Sequence, residues 1–118
     1  MRDLRNQILY LGTFPPRECG IATFTKDLTT AIGNPKVCAM NNGIAFEYGE
    51  EVVMHINELD VQNYVKIARK INKDPTIKLV NIQHEFGIYG GKYLNYLSAF
   101  LETIKKQVVE NTQVRFAN

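Results

Sequence analysis

The sequence contains no tryptophan and only two cysteines and two histidines among its 118 residues. Cys19 and Cys38 lie in dissimilar settings, so they form neither a disulfide framework nor a pair with metal-ligand spacing. Two histidines without a cysteine cluster do not make a metal site either. We therefore expect a reduced, cytoplasmic protein that holds no metal.

The excess of basic over acidic residues is also small, because the formal net charge is only +2. Such a weak excess gives no electrostatic case for binding nucleic acid or an anionic membrane. The basic pairs Arg69-Lys70 and Lys105-Lys106 fall in helix-like stretches, where we expect a solvated charged face. Long apolar runs are missing as well, since the run from Ile8 to Leu11 is too short for a signal sequence or a transmembrane segment.

What remains is the composition of one globular domain spanning residues 1–118, with 45% hydrophobic and 22% charged residues. Strand-like and helix-like patterns alternate along it. This order predicts an α/β, Rossmann-like domain: a mostly parallel sheet of about five strands with helices on both faces. The predicted strands are 8–11, 37–40, 51–57, 79–83 and one opening at 108, and the predicted helices are 21–32, 61–71 and roughly 92–106.

Three details of these elements can be tested by a structure. The first helix has one apolar stripe at helical spacing, and Gly33-Asn34-Pro35 should end it. Asp60 is a plausible N-cap of the second helix. The link between the second and third strands holds no clear helix, so the sequence leaves open whether they form a standard βαβ unit. The stripe of the first helix consists of Ile21, Phe24, Thr25, Leu28 and Ile32.

The loop from Gly12 to Gly20 follows the first strand, and ligands of open α/β sheets bind beyond the carboxyl ends of strands. Gly12 would allow a sharp turn and a close approach of a ligand to the backbone. Gly20 begins the first helix, where free N–H groups suit a diphosphate, and Arg17 and Glu18 add charge. On spacing alone, a plain βα loop with a glycine at each end is the simpler explanation.

The loop from Gln83 to Gly91 gathers polar residues directly after an apolar strand. Such a cluster is typical of residues that line a site. The alternative is a capped strand end, in which His84 and Glu85 bond to nearby backbone. His55 lies inside a predicted strand, where a structural role is favoured.

These two loops carry a resemblance to a known family. The stretch LGTFPPRECGIATF, residues 11–24, resembles the opening motif of a bacterial branch of glycosyltransferase family 4. The stretch IQHEFGIYGG, residues 82–91, is similar to the second motif of that branch. The resemblance implies a GT-B architecture, in which an N-terminal domain holds the acceptor and a facing C-terminal domain holds the nucleotide sugar. It also implies retaining transfer of the sugar without a metal or other cofactor.

The motif match assigns residues to the two sides of the cleft. It implies that one group lies near the donor diphosphate, namely Gly12, Thr13, Gly20 and Ile21. It implies that a second group lines the acceptor side, namely Arg17, Glu18, His84, Glu85, Tyr89, Gly90 and Gly91. Among these, His84 is the candidate catalytic residue.

Two departures from the family bear on activity. The chain ends at Asn118, where the family would continue into its donor domain, so we expect this chain to be the acceptor-side half and inactive by itself. Gln113 stands where family members usually place a histidine after the fifth strand. The nucleotide sugar and the carbohydrate acceptor would therefore be engaged together with the missing domain.

Two other classes of function fit parts of the sequence. A non-catalytic module could bind a sugar, a nucleotide or a protein, and an apolar face left uncovered would favour self-association. A small flavodoxin-like enzyme that handles phosphate is the other class. The absence of the P-loop and GxGxxG patterns counts against that class.

Overall fold

A computed structural model describes residues 7–16, 20–33, 36–44, 46–84 and 94–112, with the backbone alone at 20, 21, 32, 84, 94, 95, 111 and 112. Five strands and three helices lie in these ranges. They are β1 (Ile8–Gly12), α1 (Gly20–Ile32), β2 (Lys36–Asn41), β3 (Val52–Asn57), α2 (Val61–Asn72), β4 (Leu79–His84), α3 (Leu94–Thr103) and β5 (Gln107–Thr112).

The five strands form one sheet in the order β3-β2-β1-β4-β5, and every neighbouring pair is parallel. The predicted mostly parallel sheet is therefore confirmed. The chain first builds outward from β1 to β3, then crosses back and places β4 on the other side of β1. The strand order thus reverses between β1 and β4, which is the position where open α/β sheets bind their ligands.

Helices cover both faces of the sheet, as the sequence predicts. On one face, strand residues such as Leu11, Met40 and Ile82 form a core with α2 and α3. On the other face, Tyr10 and its strand neighbours pack against Leu28 of α1. Strands buried on both faces read as nearly continuous apolar runs, which is why the sequence located them well.

The sequence left open whether β2 and β3 form a standard βαβ unit, and the structure shows how they are connected. The two strands are parallel, yet no helix is found among the described residues of the link, 42–44 and 46–51. The rings of Phe46 and Tyr48 lie 5.8 Å apart, and Tyr48 packs against the cluster that contains Tyr10. Irregular chain with aromatic side chains therefore covers the sheet where a βαβ unit would place a helix.

Among the described side chains, the buried stripe of α1 agrees with the predicted one at Thr25 and Leu28 but not at Phe24. Its buried side chains are small, namely those of Ala22, Thr25 and Thr29, whereas Phe24 is 38% exposed. These small residues let the helix lie close to the sheet. Phe24 lies outside the buried stripe, so its assignment to the stripe was wrong. The predicted end is confirmed at Gly33, which has a φ of 77° and donates its N–H to the Thr29 carbonyl at 3.0 Å.

Polar side chains fix the ends of α2 and α3. Asp60 caps α2 as predicted, since its carboxylate accepts the Gln62 N–H at 3.0 Å. α3 ends at Thr103, short of the predicted end near residue 106. The reason is Asn72 of α2, which donates to the Thr103 carbonyl at 2.9 Å and accepts the Lys105 N–H at 2.7 Å. These bonds take the chain out of the helix and into β5.

Among the residues that the structure describes, no helix has the length and apolar character needed to cross a membrane.

Candidate functional site

The carboxyl ends of β1 and β4 lie side by side at one edge of the sheet. Leu11 pairs with Ile82, so the next residues along the two strands, Gly12 and Gln83, are neighbours. The two motif-bearing loops therefore leave the sheet at the same edge. This is the geometry that a shared binding site requires, and it falls at the point where the strand order reverses.

Gly12 is confined by its neighbours across the sheet. A β-carbon added to it would lie 2.9 Å from Cβ of Gln83 and 3.5 Å from Oγ1 of Thr25. The described glycines with positive φ are Gly33 and Gly43, so a left-handed backbone is not what requires glycine at position 12. Its lack of a side chain lets β4 and α1 approach β1 closely at the candidate site.

Buried polar groups gather around Gly12. Gln83 is fully buried, and its Nε2 donates to Oδ1 of Asn81 at 2.7 Å. Thr25 is also fully buried, and within the described residues its hydroxyl finds no hydrogen-bond partner. Thr13 is buried as well. Because an unpaired buried hydroxyl is costly, Thr25 makes this corner of the fold chemically unusual.

The loop after β1 is tied to two other elements by Lys26. Its Nζ lies 5.5 Å from the centre of the buried Phe14 ring and 2.9 Å from Oε2 of Glu51. The hydrogen bond from Lys26 lowers the pKa of the Glu51 carboxyl below its usual value. The peptide bond between Pro15 and Pro16 is cis. Lys26 thus links α1, the loop after β1 and the segment that enters β3.

The first turn of α1 supplies backbone donors at the same edge. The helix begins at Gly20 and includes Ile21, and its first turn contains no acidic residue. The N–H groups of a first helical turn have no partner within the helix, and the helix dipole adds positive potential there. No carboxylate within this turn therefore competes with an anionic ligand.

The structure covers part of each predicted set of site residues. Of the residues predicted near the diphosphate, Gly12 ends β1 and Thr13 follows it, whereas Gly20 and Ile21 begin α1. On the acceptor side it places His84 at the end of β4, in register with Thr112 of β5. The other acceptor-side residues lie outside the described residues, namely Arg17, Glu18, Glu85, Tyr89, Gly90 and Gly91. Gln113, which stands where the family usually has a histidine, lies outside them as well.

Sequence reasoning missed a polar pair between the end of β2 and the middle of β3. Nδ2 of the buried Asn41 lies 3.5 Å from Nδ1 of His55, and its Oδ1 accepts the Gly43 N–H at 3.0 Å. His55 is exposed on the edge strand β3, so the structural role predicted for it is limited to this contact among the described residues. The signal that could have found Asn41 is its position at a strand end just before the turn at Gly43.

The described part of the chain contains neither a reactive thiol nor a cluster of metal-binding side chains. Burial raises the pKa of the Cys38 thiol far above its usual value, so the thiol stays protonated. No group of three or more histidine, cysteine, aspartate or glutamate side chains is close enough there to hold a metal ion.

Two surface hollows of the described residues lie away from this edge. One, of about 510 Å³, runs along α2, and the other, of about 200 Å³, lies where β1, β4 and β5 begin. Residues 17–19 and 85–93, which continue the two loops of the candidate site, fall outside the described ranges. The strand register and the buried polar groups therefore locate the site better than the hollows do.

Comparison of the chain with protein-family models, curated proteins and solved structures finds no match. What the chain does must therefore be inferred from its fold, from the groups at this edge and from its two sequence motifs.

Proposed function

We propose that this chain is the acceptor-side domain of a retaining, nucleotide-sugar-dependent glycosyltransferase that resembles family 4 and works with a second, donor-binding domain. One observation carries the proposal. The two stretches that resemble family motifs begin side by side at the β1–β4 edge, where the strand order of an all-parallel sheet reverses.

The donor diphosphate would lie against the first turn of α1. Backbone N–H groups from Gly20 onward would donate to its oxygens, and the helix dipole would favour the negative charge. When the sugar leaves, charge builds up on the diphosphate, so these donors would stabilise the transition state more than the ground state. Gly12 and Thr13 would let the diphosphate approach the end of β1.

The acceptor would lie on the side of β4. By the resemblance to family 4, His84 is the candidate to contact its reacting hydroxyl. The other acceptor-side candidates are Arg17, Glu18, Glu85, Tyr89, Gly90 and Gly91. A polar cluster after a buried strand supports this assignment, because such clusters usually line a site. The facing domain would complete the cleft and exclude water from it.

Thr25 gives this proposal a structural anchor. Its buried hydroxyl lies near Gly12 and finds no partner among the described residues. Because an unpaired buried hydroxyl costs stability, its presence beside Gly12 fits a role at the ligand edge better than a role in folding.

The test is binding of a nucleotide sugar to the loop between β1 and α1. Because the facing domain supplies the rest of the donor site, we expect weak binding, in which high concentrations of UDP-glucose or GDP-mannose shift the amide resonances of Gly12, Gly20 and Ala22 in a ¹⁵N-labelled chain. Gly20→Val should weaken this binding by at least about tenfold, because a branched side chain blocks the approach of the diphosphate to the backbone.

The matched control is Thr23→Val, which changes an exposed residue of the same helix to the same side chain. It should leave binding unchanged. If neither nucleotide sugar shifts these amides, or if Gly20→Val binds as well as the unmodified chain, the donor does not meet this loop and the proposal fails.

A further inference from the structure

The outer face of α2, together with the C-cap residue that follows it, carries four cationic side chains that the proposed function does not use. All four are exposed, and they lie opposite the side chains that α2 buries in the core. Together with Gln62 and Val65 they line the open hollow of about 510 Å³. These cations are Lys66, Arg69, Lys70 and Lys73.

No carboxylate of the described residues lies within 4.0 Å of these cations. α2 itself contains no acidic residue between Val61 and Asn72. The carboxylates at its two ends are engaged elsewhere. Asp60 accepts the Gln62 N–H at 3.0 Å, and Asp74 accepts from the N–H and the hydroxyl of Thr76 at 2.9 and 2.6 Å.

The helix dipole explains only part of this charge. Arg69 and Lys70 lie in the last turn of α2, where cations stabilise the negative end of the dipole. That effect fades beyond the last turn, so it does not account for Lys66. Cations three and four residues apart on a helix also repel each other, and an unpaired row of them destabilises the helix. A multivalent anion would relieve this repulsion.

We propose that the outer face of α2 binds clustered phosphate groups. A rise of 1.5 Å per residue places Lys66 and Lys73 about 10 Å apart along the helix, which suits several linked phosphates better than one. Lysine ammonium groups and the planar arginine guanidinium both donate strong hydrogen bonds to phosphate oxygens.

This site is separate from the one proposed at the edge of the sheet. α2 packs on the face formed by Leu11, Met40 and Ile82, whereas α1 packs on the opposite face. The buried side of α2, with Tyr64 and Ile71 in the core, gives the cations a rigid support. The same phosphate chemistry occurs in a soluble oligophosphate and in the headgroups of an anionic bilayer, so the test must separate these sources.

The experiment titrates the ¹⁵N-labelled chain with sodium tripolyphosphate at low salt and follows its amide resonances. The amides of α2 should shift. Lys66→Gln combined with Arg69→Gln should weaken this binding by about tenfold or more, since glutamine keeps the helix propensity but removes both charges. The control is Lys78→Gln with Lys105→Gln, which removes the same charge from exposed positions elsewhere and should change binding less than about twofold.

A second arm measures co-sedimentation with phosphatidylcholine vesicles that contain or lack phosphatidylglycerol. Tripolyphosphate binding without sedimentation identifies a soluble ligand, whereas sedimentation that needs phosphatidylglycerol and Lys66 identifies the headgroup. Equal weakening by both double variants would show an effect of net charge alone and overturn the proposal. Amide shifts confined to Gly12, Gly20 and Ala22 would also overturn the proposal, although they would leave the proposed donor site intact. The proposal would fail as well if the chain neither bound tripolyphosphate nor sedimented with the vesicles.

Discussion

Thr25 and Thr29 lie one turn apart on the buried side of α1, yet their hydroxyl groups differ in bonding. Thr29 donates to the Thr25 carbonyl at 2.8 Å and lies 3.2 Å from the Lys26 carbonyl. The Thr25 hydroxyl is buried with no partner among the described residues. The two positions therefore form a matched pair for measuring what an unpaired buried hydroxyl costs.

We expect Thr25→Val to raise the free energy of unfolding by about 1–2 kcal/mol, because it replaces an unpaired hydroxyl with a methyl group of the same shape. Thr29→Val should lower it by about 1 kcal/mol, since that hydroxyl is bonded. Both substitutions have similar helix propensity, so urea unfolding compares them directly. A destabilised Thr25→Val variant would show that this hydroxyl is bonded in solution.

At the scale of elements, one side chain of α2 fixes the end of α3, in addition to the apolar contacts between the two helices. Asn72 bonds the Thr103 carbonyl and the Lys105 N–H, and these bonds decide where α3 stops. We expect Asn72→Ala to lower the free energy of unfolding by about 1–3 kcal/mol, because two backbone groups lose their partner. Hydrogen exchange at the Lys105 amide should accelerate, whereas the exposed Gln62→Ala should leave it unchanged. An unchanged exchange rate in Asn72→Ala would show that another group caps α3.

The pair formed by Lys26 and Glu51 links α1 to the entry of β3 and should make stability depend on pH. The pKa of Glu51 is lowered from its model-compound value of 4.5, first through its hydrogen bond from Lys26. A lowered acid pKa contributes stability above the unfolded pKa, and this is lost as the pH falls from about 4.5 through the folded value. The Lys26 side chain is partly exposed, so the effect should be small.

Glu51→Gln should therefore lose less stability than the unmodified chain when the pH is lowered through that window, as measured by urea unfolding at each pH. Glu47→Gln provides the comparison, because Glu47 is exposed in the same link. A Glu51→Gln curve parallel to that of the unmodified chain would mean that the ion pair does not persist in solution.

At the scale of the whole molecule, both edges of the sheet expose an apolar side chain. Val53 on β3 is 48% exposed and Val109 on β5 is 43% exposed. Exposed apolar edge strands promote pairing between chains, and lysine at such a position prevents it. We expect self-association that grows with concentration and weakens in Val109→Lys, as measured by light scattering. Ala31→Lys, at an exposed site of α1, should not reduce it. A chain that stays monomeric at high concentration would contradict this.

Much of this fold could be predicted from the sequence because its signals are local. Buried parallel strands give continuous apolar runs, and Asp60 and Gly33 mark helix ends through contacts with near neighbours. The parallel pairing of β2 and β3 could not be predicted, because an irregular link replaces the usual helix. The end of α3 depends on Asn72, far away in the chain, and local patterns carry no trace of such a bond.

At the candidate site, too, the sequence predicted individual residues but not the contacts between distant elements. Gly12 and Gln83 were assigned to two separate loops, but their contact depends on strand order, which periodicity does not reveal. The unpaired hydroxyl of Thr25 could not be predicted for the same reason, since it is buried beside Gly12 of β1. Asn41 and His55 meet because β2 and β3 pair in the sheet.

The central position of β1 has a consequence for the order of events during synthesis. β1 pairs with β4 from Ile8 and Leu79 onward, so more than half of the chain has to be made before β1 gains β4 as its second neighbouring strand. Pairing between residues so distant in sequence closes late and slowly. A ribosome-bound chain would thus display β1 with one side unpaired, and a nascent product released before β4 would lack the β1–β4 edge at which the proposed site lies.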